Sequence, residues 1–197
     1  VDGAKFLKSA QEKGAVAAIV PRNTPDVPGL FLVQSDNPRR LLALAAARYY
    51  GEQPDTIVAV TGTNGKTTVT RLLAEIWTHA GQLSAVLGTT GNGIVPNLTP
   101  STHTTLDALH LQNKLHEYAE QGATLACLEA SSHGLEQGRL AGTPIEVAIF
   151  TNLTRDHLDY HGTFEAYAEA KSRLFNPTYF PDLKYAIVNA DDPASQL

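Results

Sequence analysis

The stretch that most constrains this 197-residue chain is VAVTGTNGKTTVT, residues 58–70, in which an apolar run meets two glycines and a Gly-Lys-Thr before an amphipathic pattern. A buried strand, a glycine turn and a helix in that order form the setting of a phosphate-binding loop. Glycines let backbone N–H groups close on phosphate oxygens, and the helix N-terminus favours negative charge. In this reading Gly62 and Gly65 admit the phosphates, Lys66 reaches the terminal ones, and Thr67 offers its hydroxyl to Mg²⁺. The loop is short: counting back from Gly65, Val60 stands where a standard Walker A sequence carries its first glycine. A glycine-rich strand-to-helix turn that binds nothing is the competing reading.

The rest of the chain repeats the rhythm. TIVAV (56–60), SAVLG (84–88), TLACLEA (124–130), VAIFTNL (147–153) and YAIVN (185–189) read as strands. Helices are expected after the glycine loop, over about 105–121, and from a cap near Thr163. Residues 89–104 read as a long polar loop and Ser131-Ser132-His133-Gly134 as a turn. On the first helix, Val69, Leu72, Leu73, Ile76, Trp77 and Ala80 form the expected stripe against the sheet. Apolar strands alternating with helices predict an α/β fold with a mostly parallel sheet covered on both faces. Upstream, a helix end at 3–13, strands at 15–20 and 30–33 and a helix over 39–50 suggest the tail of a small α/β domain. GEQPD (51–55) reads as the linker, giving 1–52 and 53–197 as the two units. Asp36-Asn37-Pro38-Arg39 reads as a helix cap.

Composition narrows the function. Fifteen Lys and Arg against 20 Asp and Glu give a net charge of -5, which argues against the basic face that nucleic-acid binding needs while leaving room for a local basic pocket. No apolar stretch nears the roughly 20 residues that span a bilayer. One cysteine, Cys127, excludes an intrachain disulfide and favours a reducing, cytoplasmic setting. The absence of methionine and the abrupt ends at Val1 and Leu197 suggest a fragment.

Other polar clusters decide the reaction. Glu129 ends a buried strand, where parallel sheets face their ligands; by spacing alone it reads equally as a Mg²⁺ ligand or as an ordinary surface carboxylate. In TNLTRDHLDYHGTFEAYAEAK, 151–171, His157 beside Asp156 is a ligand candidate, and no second cluster has zinc-ligand spacing. Asp159 and His161 read as helix-start residues serving as caps. Lys171 reads most simply as a solvated surface lysine.

GTNGKTT (62–68), EASSHGLEQGRL (129–140), TNLTRDHLDYHGTFEAYAEAKSRLF (151–175) and NADD (189–192) together resemble the Mur ligases, over nearly the whole chain. Within them the match is closest to the branch that adds the third amino acid of the peptidoglycan peptide. The short loop, with Thr63 and Asn64 between its glycines, is that family's form of P-loop. The resemblance implies a three-domain cytoplasmic ligase, working as a monomer, of which this chain holds the end of the uridine-binding domain and most of the ATP-binding domain. The C-terminal domain that recognises the amino acid is absent. ATP would phosphorylate the D-glutamyl γ-carboxylate of UDP-N-acetylmuramoyl-L-alanyl-D-glutamate, and a diamino acid would attack the acyl phosphate.

The resemblance also implies roles. Gly62, Thr63, Asn64, Gly65, Lys66, Thr67 and Thr68 bind ATP, with Asn152 on the nucleotide side. Thr67 and Glu129 serve one Mg²⁺ and His157 a second. Thr104, Thr105, Ser131, Gln137 and Arg139 contact the UDP-sugar. Lys171 matches a lysine carbamylated by CO₂, an anionic oxygen ligand for Mg²⁺. Asp36-Asn37-Pro38-Arg39 spells the family's diaminopimelate motif, but it lies before the P-loop and says nothing about the amino acid. Cyanophycin-synthetase-like or folylpolyglutamate-synthetase-like ligases, and a nucleotide-binding module without ligase activity, are the alternatives.

Overall fold

The structure, a computed structural model, describes residues 3–196. After a 3-10 turn come helix α1 (Leu7–Glu12), strands β1 (Ala17–Pro21) and β2 (Phe31–Ser35), which pair in parallel as a two-stranded sheet, and helix α2 (Pro38–Tyr50). The Asn37 side chain accepts from the Arg40 N–H at 2.9 Å and Pro38 takes the first turn, as the sequence suggests. Asp36 instead pairs with the Arg22 guanidinium.

The larger sheet begins with β3 (Thr56–Thr61), followed by α3 (Lys66–His79), β4 (Ser84–Gly88), β5 (Gly91–Ile94), α4 (Ala108–Glu120) and β6 (Leu125–Glu129). Then come α5 (Ser132–Glu136), β7 (Val147–Phe150), α6 (Leu158–His161), α7 (Phe164–Ser172) and β8 (Tyr185–Val188). The strand order is β5-β4-β6-β3-β7-β8, parallel throughout except for the β4–β5 hairpin. This is the expected α/β architecture. Two local readings are corrected: the polar stretch after β4 contains a strand, and Ser131-Ser132-His133-Gly134 opens a short helix capped by Ser131.

Alternation along β3 divides the core between the two faces of the sheet. Ile57 and Ala59 join Leu111, Leu115 and Tyr118 of α4 on one face, while Val58 and Val60 join Ala74 of α3 on the other. The phase of α3 differs from the apolar stripe. Thr70 and Ala74 are its buried residues, Val69 and Leu73 pack alongside, and Leu72 and Ile76 are exposed. The reason lies at the loop: Thr67 bonds Glu129, and residues 67, 70 and 74 share one helix face, so that bond turns 72 and 76 outward. The Thr70 hydroxyl is spent on the Lys66 and Thr67 carbonyls at 3.0 and 3.1 Å, which lets a polar residue lie buried there.

Candidate nucleotide and metal site

Because β3 lies between β6 and β7, the loop leaving it is flanked by the C-terminal ends of both neighbours. Val60 is level with Glu129, and Thr61 with Phe150. Ligands of parallel sheets bind at that edge. Gly62 is buried with φ 145°, and a Cβ there would lie 1.9 Å from Thr151 Oγ1, so no side chain fits. Gly65 has φ 86° and starts α3, a left-handed conformation suited to glycine.

Asn152 latches the loop. Its side chain accepts from the Asn64 N–H at 3.0 Å and donates to the Asn64 carbonyl at 3.1 Å, while its own carbonyl accepts from the Thr63 N–H at 2.8 Å. Thr151 adds a hydroxyl bond to the Asn64 carbonyl at 2.6 Å. The Thr63 hydroxyl lies 3.1 Å from the Tyr167 hydroxyl, and Thr68 is exposed on the first turn of α3. Lys66 folds back, donating to the carbonyls of Gly62 and Thr63, both at 2.9 Å. Burial lowers its pKa against the opposing charges of Glu129 and Asp156.

Glu129 is 2% exposed, so it is no surface carboxylate. It accepts from the Thr67 hydroxyl at 3.0 Å, the Thr89 N–H at 2.8 Å and the Thr89 hydroxyl at 3.1 Å. The donor set suits Mg²⁺: a carboxylate and a hydroxyl aligned beside a phosphate-binding loop match an ion that takes few protein ligands and fills its octahedron with phosphate oxygens and water. Among the described residues, no three His, Cys, Asp or Glu side chains form a ready-made cage.

Lys171 is buried at 3% exposure, which overturns the solvated reading. Its Nζ donates to the Gly62 carbonyl at 2.8 Å and lies 4.8 Å from the Tyr167 ring centre. Burial, reinforced by the nearby Lys66, pushes its pKa down to about 7 despite the pull of Asp156. A bare ammonium there is a poor partner for a cation. Tyr167 is one turn earlier on the same helix face, a pairing of i and i+4 that the sequence could have revealed.

His157 sits exposed at φ 52°, its ring 6.0 Å from Tyr167 and 5.0 Å from His133. No hydrogen bond joins it to Thr67 or Glu129 among the described residues. Neither Asp159 nor His161 caps a helix: α6 has no side-chain cap, Thr163 caps α7, and His161 Nε2 lies 3.0 Å from Ser132 Oγ.

The residues assigned to the sugar nucleotide gather across β6. Thr105 is buried, donating to the Glu129 carbonyl at 2.7 Å and lying 2.9 Å from Ser131 Oγ, which also accepts from the Gly134 N–H. Arg139 donates to the Thr105 carbonyl at 2.8 Å and twice to Gln137 Oε1. Arg139 and Gln137 line a cavity of about 310 Å³ with Arg39, His103 and Asp107. Thr104 lies 3.1 Å from the Thr89 hydroxyl. Sequence reasoning missed Thr89, Thr151 and Tyr167; the first two directly follow strands, which is the signal that marks them.

The model of the Mur ligase middle domain matches residues 60–197. The UDP-N-acetylmuramoyl-L-alanyl-D-glutamate--2,6-diaminopimelate ligase of Chelativorans sp. (strain BNC1) is 46% identical over 195 residues, 99% of this chain and 40% of that protein. A solved structure of a ligase of the same name, at 53% identity and TM-score 0.88, is covered by 98% of this chain over 39% of its own length. The MurF ligase from Thermotoga maritima in complex with ADP shares the fold at 24% identity and TM-score 0.61, over 98% of this chain and 41% of that one. This chain thus spans about two-fifths of the relatives it matches. With the loop, its flanking strand ends and the family match in agreement, the chain belongs to the Mur ligase family and carries its middle domain.

Proposed function

We propose that this chain is the nucleotide-binding part of an ATP-dependent ligase of peptidoglycan synthesis. The enzyme would join a diamino acid to the D-glutamyl γ-carboxylate of UDP-N-acetylmuramoyl-L-alanyl-D-glutamate. The observation that carries the reading is the convergence of Lys66, Thr67, Glu129 and Lys171 on the C-terminal edge of one sheet, around Gly62. Relatives named for 2,6-diaminopimelate favour that amino acid over L-lysine.

In this reading residues 1–52 close the first domain. The amides of Gly62 to Thr68 cradle the ATP phosphates, Asn152 holds the loop open for them, and Lys66 swings from its carbonyls to the terminal phosphate. Thr67 and Glu129 would hold Mg²⁺, with His157 assigned to a second ion; the metal would supply charge neutralisation on the phosphates. Thr104, Thr105, Ser131, Gln137 and Arg139 serve the sugar-nucleotide side. There Arg139 aims its guanidinium while Thr105 and Ser131 brace the strand end.

The reaction proceeds in two displacements. A γ-carboxylate oxygen attacks the terminal phosphorus and ADP departs; the amine then attacks the acyl carbon, and the bridging oxygen leaves with inorganic phosphate. No protein nucleophile is needed, so catalysis rests on positioning and charge. Lys171 acts as a carbamate: its neutral amine forms an N–C bond to CO₂ and releases a proton, exchanging a positive charge for oxygen donors suited to Mg²⁺. The setting would be cytoplasmic; no helix among the described residues is long and apolar enough to cross a membrane.

Full-length protein should turn over ATP continuously to ADP and phosphate only when the UDP-muramoyl dipeptide and a diamino acid are both present, faster with diaminopimelate than with lysine. ATP turnover indifferent to the dipeptide would overturn the reading.

A further inference from the structure

Two separate segments aim the Glu129 carboxylate. Oε1 receives the Thr67 hydroxyl and the Thr89 N–H, and Oε2 receives the Thr89 hydroxyl. Gly88, the last residue of β4, makes room for the group: a Cβ there would lie 2.2 Å from Oε1, 2.7 Å from Cδ and 2.8 Å from Cγ of Glu129. The Gly88 N–H is itself tied to Asn92 Oδ1 at 3.1 Å across the β4–β5 turn, so this backbone has little freedom to retreat. The same Thr89 hydroxyl lies 3.1 Å from Thr104 Oγ1. A hydroxyl carries one proton. It is committed to Glu129 or to Thr104, and sharing it weakens both bonds.

We propose that Thr89 is a positioning residue that couples the metal–nucleotide side of the site, through Glu129, to the sugar-nucleotide side, through Thr104. The inference rests on the reading of Glu129 as a Mg²⁺ ligand and Thr104 as a substrate contact. A substrate group that engages Thr104 leaves the Thr89 proton to Glu129 alone and fixes the carboxylate in its aimed position. Binding of the UDP-muramoyl dipeptide therefore tightens Mg²⁺·ADP, and Mg²⁺·ADP tightens the dipeptide by the same factor. Neither ligand touches the other's residues for this to happen.

The test is a set of equilibrium titrations of ADP into the full-length protein, with and without Mg²⁺ and with and without saturating UDP-muramoyl dipeptide. Wild type should show a coupling factor of about fivefold or more that requires Mg²⁺. Thr89→Val keeps the branched shape and the backbone N–H but removes the hydroxyl. Its coupling factor should fall to about one, while metal-free ADP affinity stays within about twofold. Thr89→Ser should restore the coupling, which a purely structural role would not predict. Should Thr89→Val fail to fold, Thr104→Val cuts the same link from the other side and should abolish the coupling equally. Unchanged coupling in either valine variant, or failure of serine to rescue, would overturn the proposal. Wild-type ADP binding that ignores Mg²⁺ would instead overturn the metal reading of Glu129, and the coupling with it.

Discussion

Lys171 Nζ donates to the carbonyl oxygen of Gly62 at 2.8 Å, and Lys66 Nζ donates to that same oxygen at 2.9 Å. Two lysines thus meet on one carbonyl at the root of the glycine loop, and the cost of keeping both charged falls on the more buried one. With its pKa held down at about 7 rather than 10.5, Lys171 loses its proton in the folded protein well before it would in the unfolded chain.

That shift has a definite sign. Below pH 7 both states are protonated and the penalty is fully present. Between pH 7 and 10.5 the unfolded chain binds more protons, so native stability should rise with pH, by up to about 1.4 kcal/mol per pH unit from this group. Denaturant unfolding of metal-free, bicarbonate-free full-length protein, compared with Lys171→Met, isolates the term. The stability of wild type relative to the variant should climb across that window; a difference independent of pH contradicts the buried-amine account.

Lys66→Ala removes the charge that the proposed function sets against the developing phosphate. Turnover in the full-length enzyme should fall by about 10²-fold or more with the fold intact, as for loss of a preorganised electrostatic group. Steady-state ADP release checks this, and near-normal turnover would remove Lys66 from the phosphate site.

Asn152→Ala cuts two side-chain bonds to Asn64 without touching the sheet. At about 1 kcal/mol for each net hydrogen bond, nucleotide affinity should weaken, by up to roughly 30-fold, because the loop is no longer held in one shape, and the melting temperature should fall as the same bonds leave the folded state. Isothermal titration with ADP reads the first, calorimetric melting the second.

Arg139→Ala should raise the apparent KM for the UDP-muramoyl dipeptide far more than that for ATP, since the side chain lines the cavity across β6 rather than the P-loop. Equal changes in both constants would place it wrongly.

Local signals made much of this molecule legible. The glycine loop, β3, the caps at Asn37 and Thr163 and the parallel alternation each depend on a few consecutive residues. What escaped depends on where elements land. Lys171 looked solvated because nothing within α7 says that its face is pressed against the loop after β3. Strand β5 was hidden because Gly91-Asn92-Gly93 has little strand propensity and pairs only through the hairpin with β4. Leu72 and Ile76 fitted an apolar stripe, yet the Thr67–Glu129 bond set the rotation of α3. Thr89 looked like the first residue of a loop; only the fold brings it to the buried carboxylate of the adjacent strand.

The proposed intermediate is an acyl phosphate made at the loop's edge, and one isotope measurement reaches it directly. UDP-N-acetylmuramoyl-L-alanyl-D-glutamate labelled with oxygen-18 in both γ-carboxylate oxygens should be turned over by the full-length enzyme with ATP and diaminopimelate. Mass spectrometry of the released inorganic phosphate should then find one labelled oxygen per amide formed. Unlabelled phosphate alongside normal amide product would contradict the account.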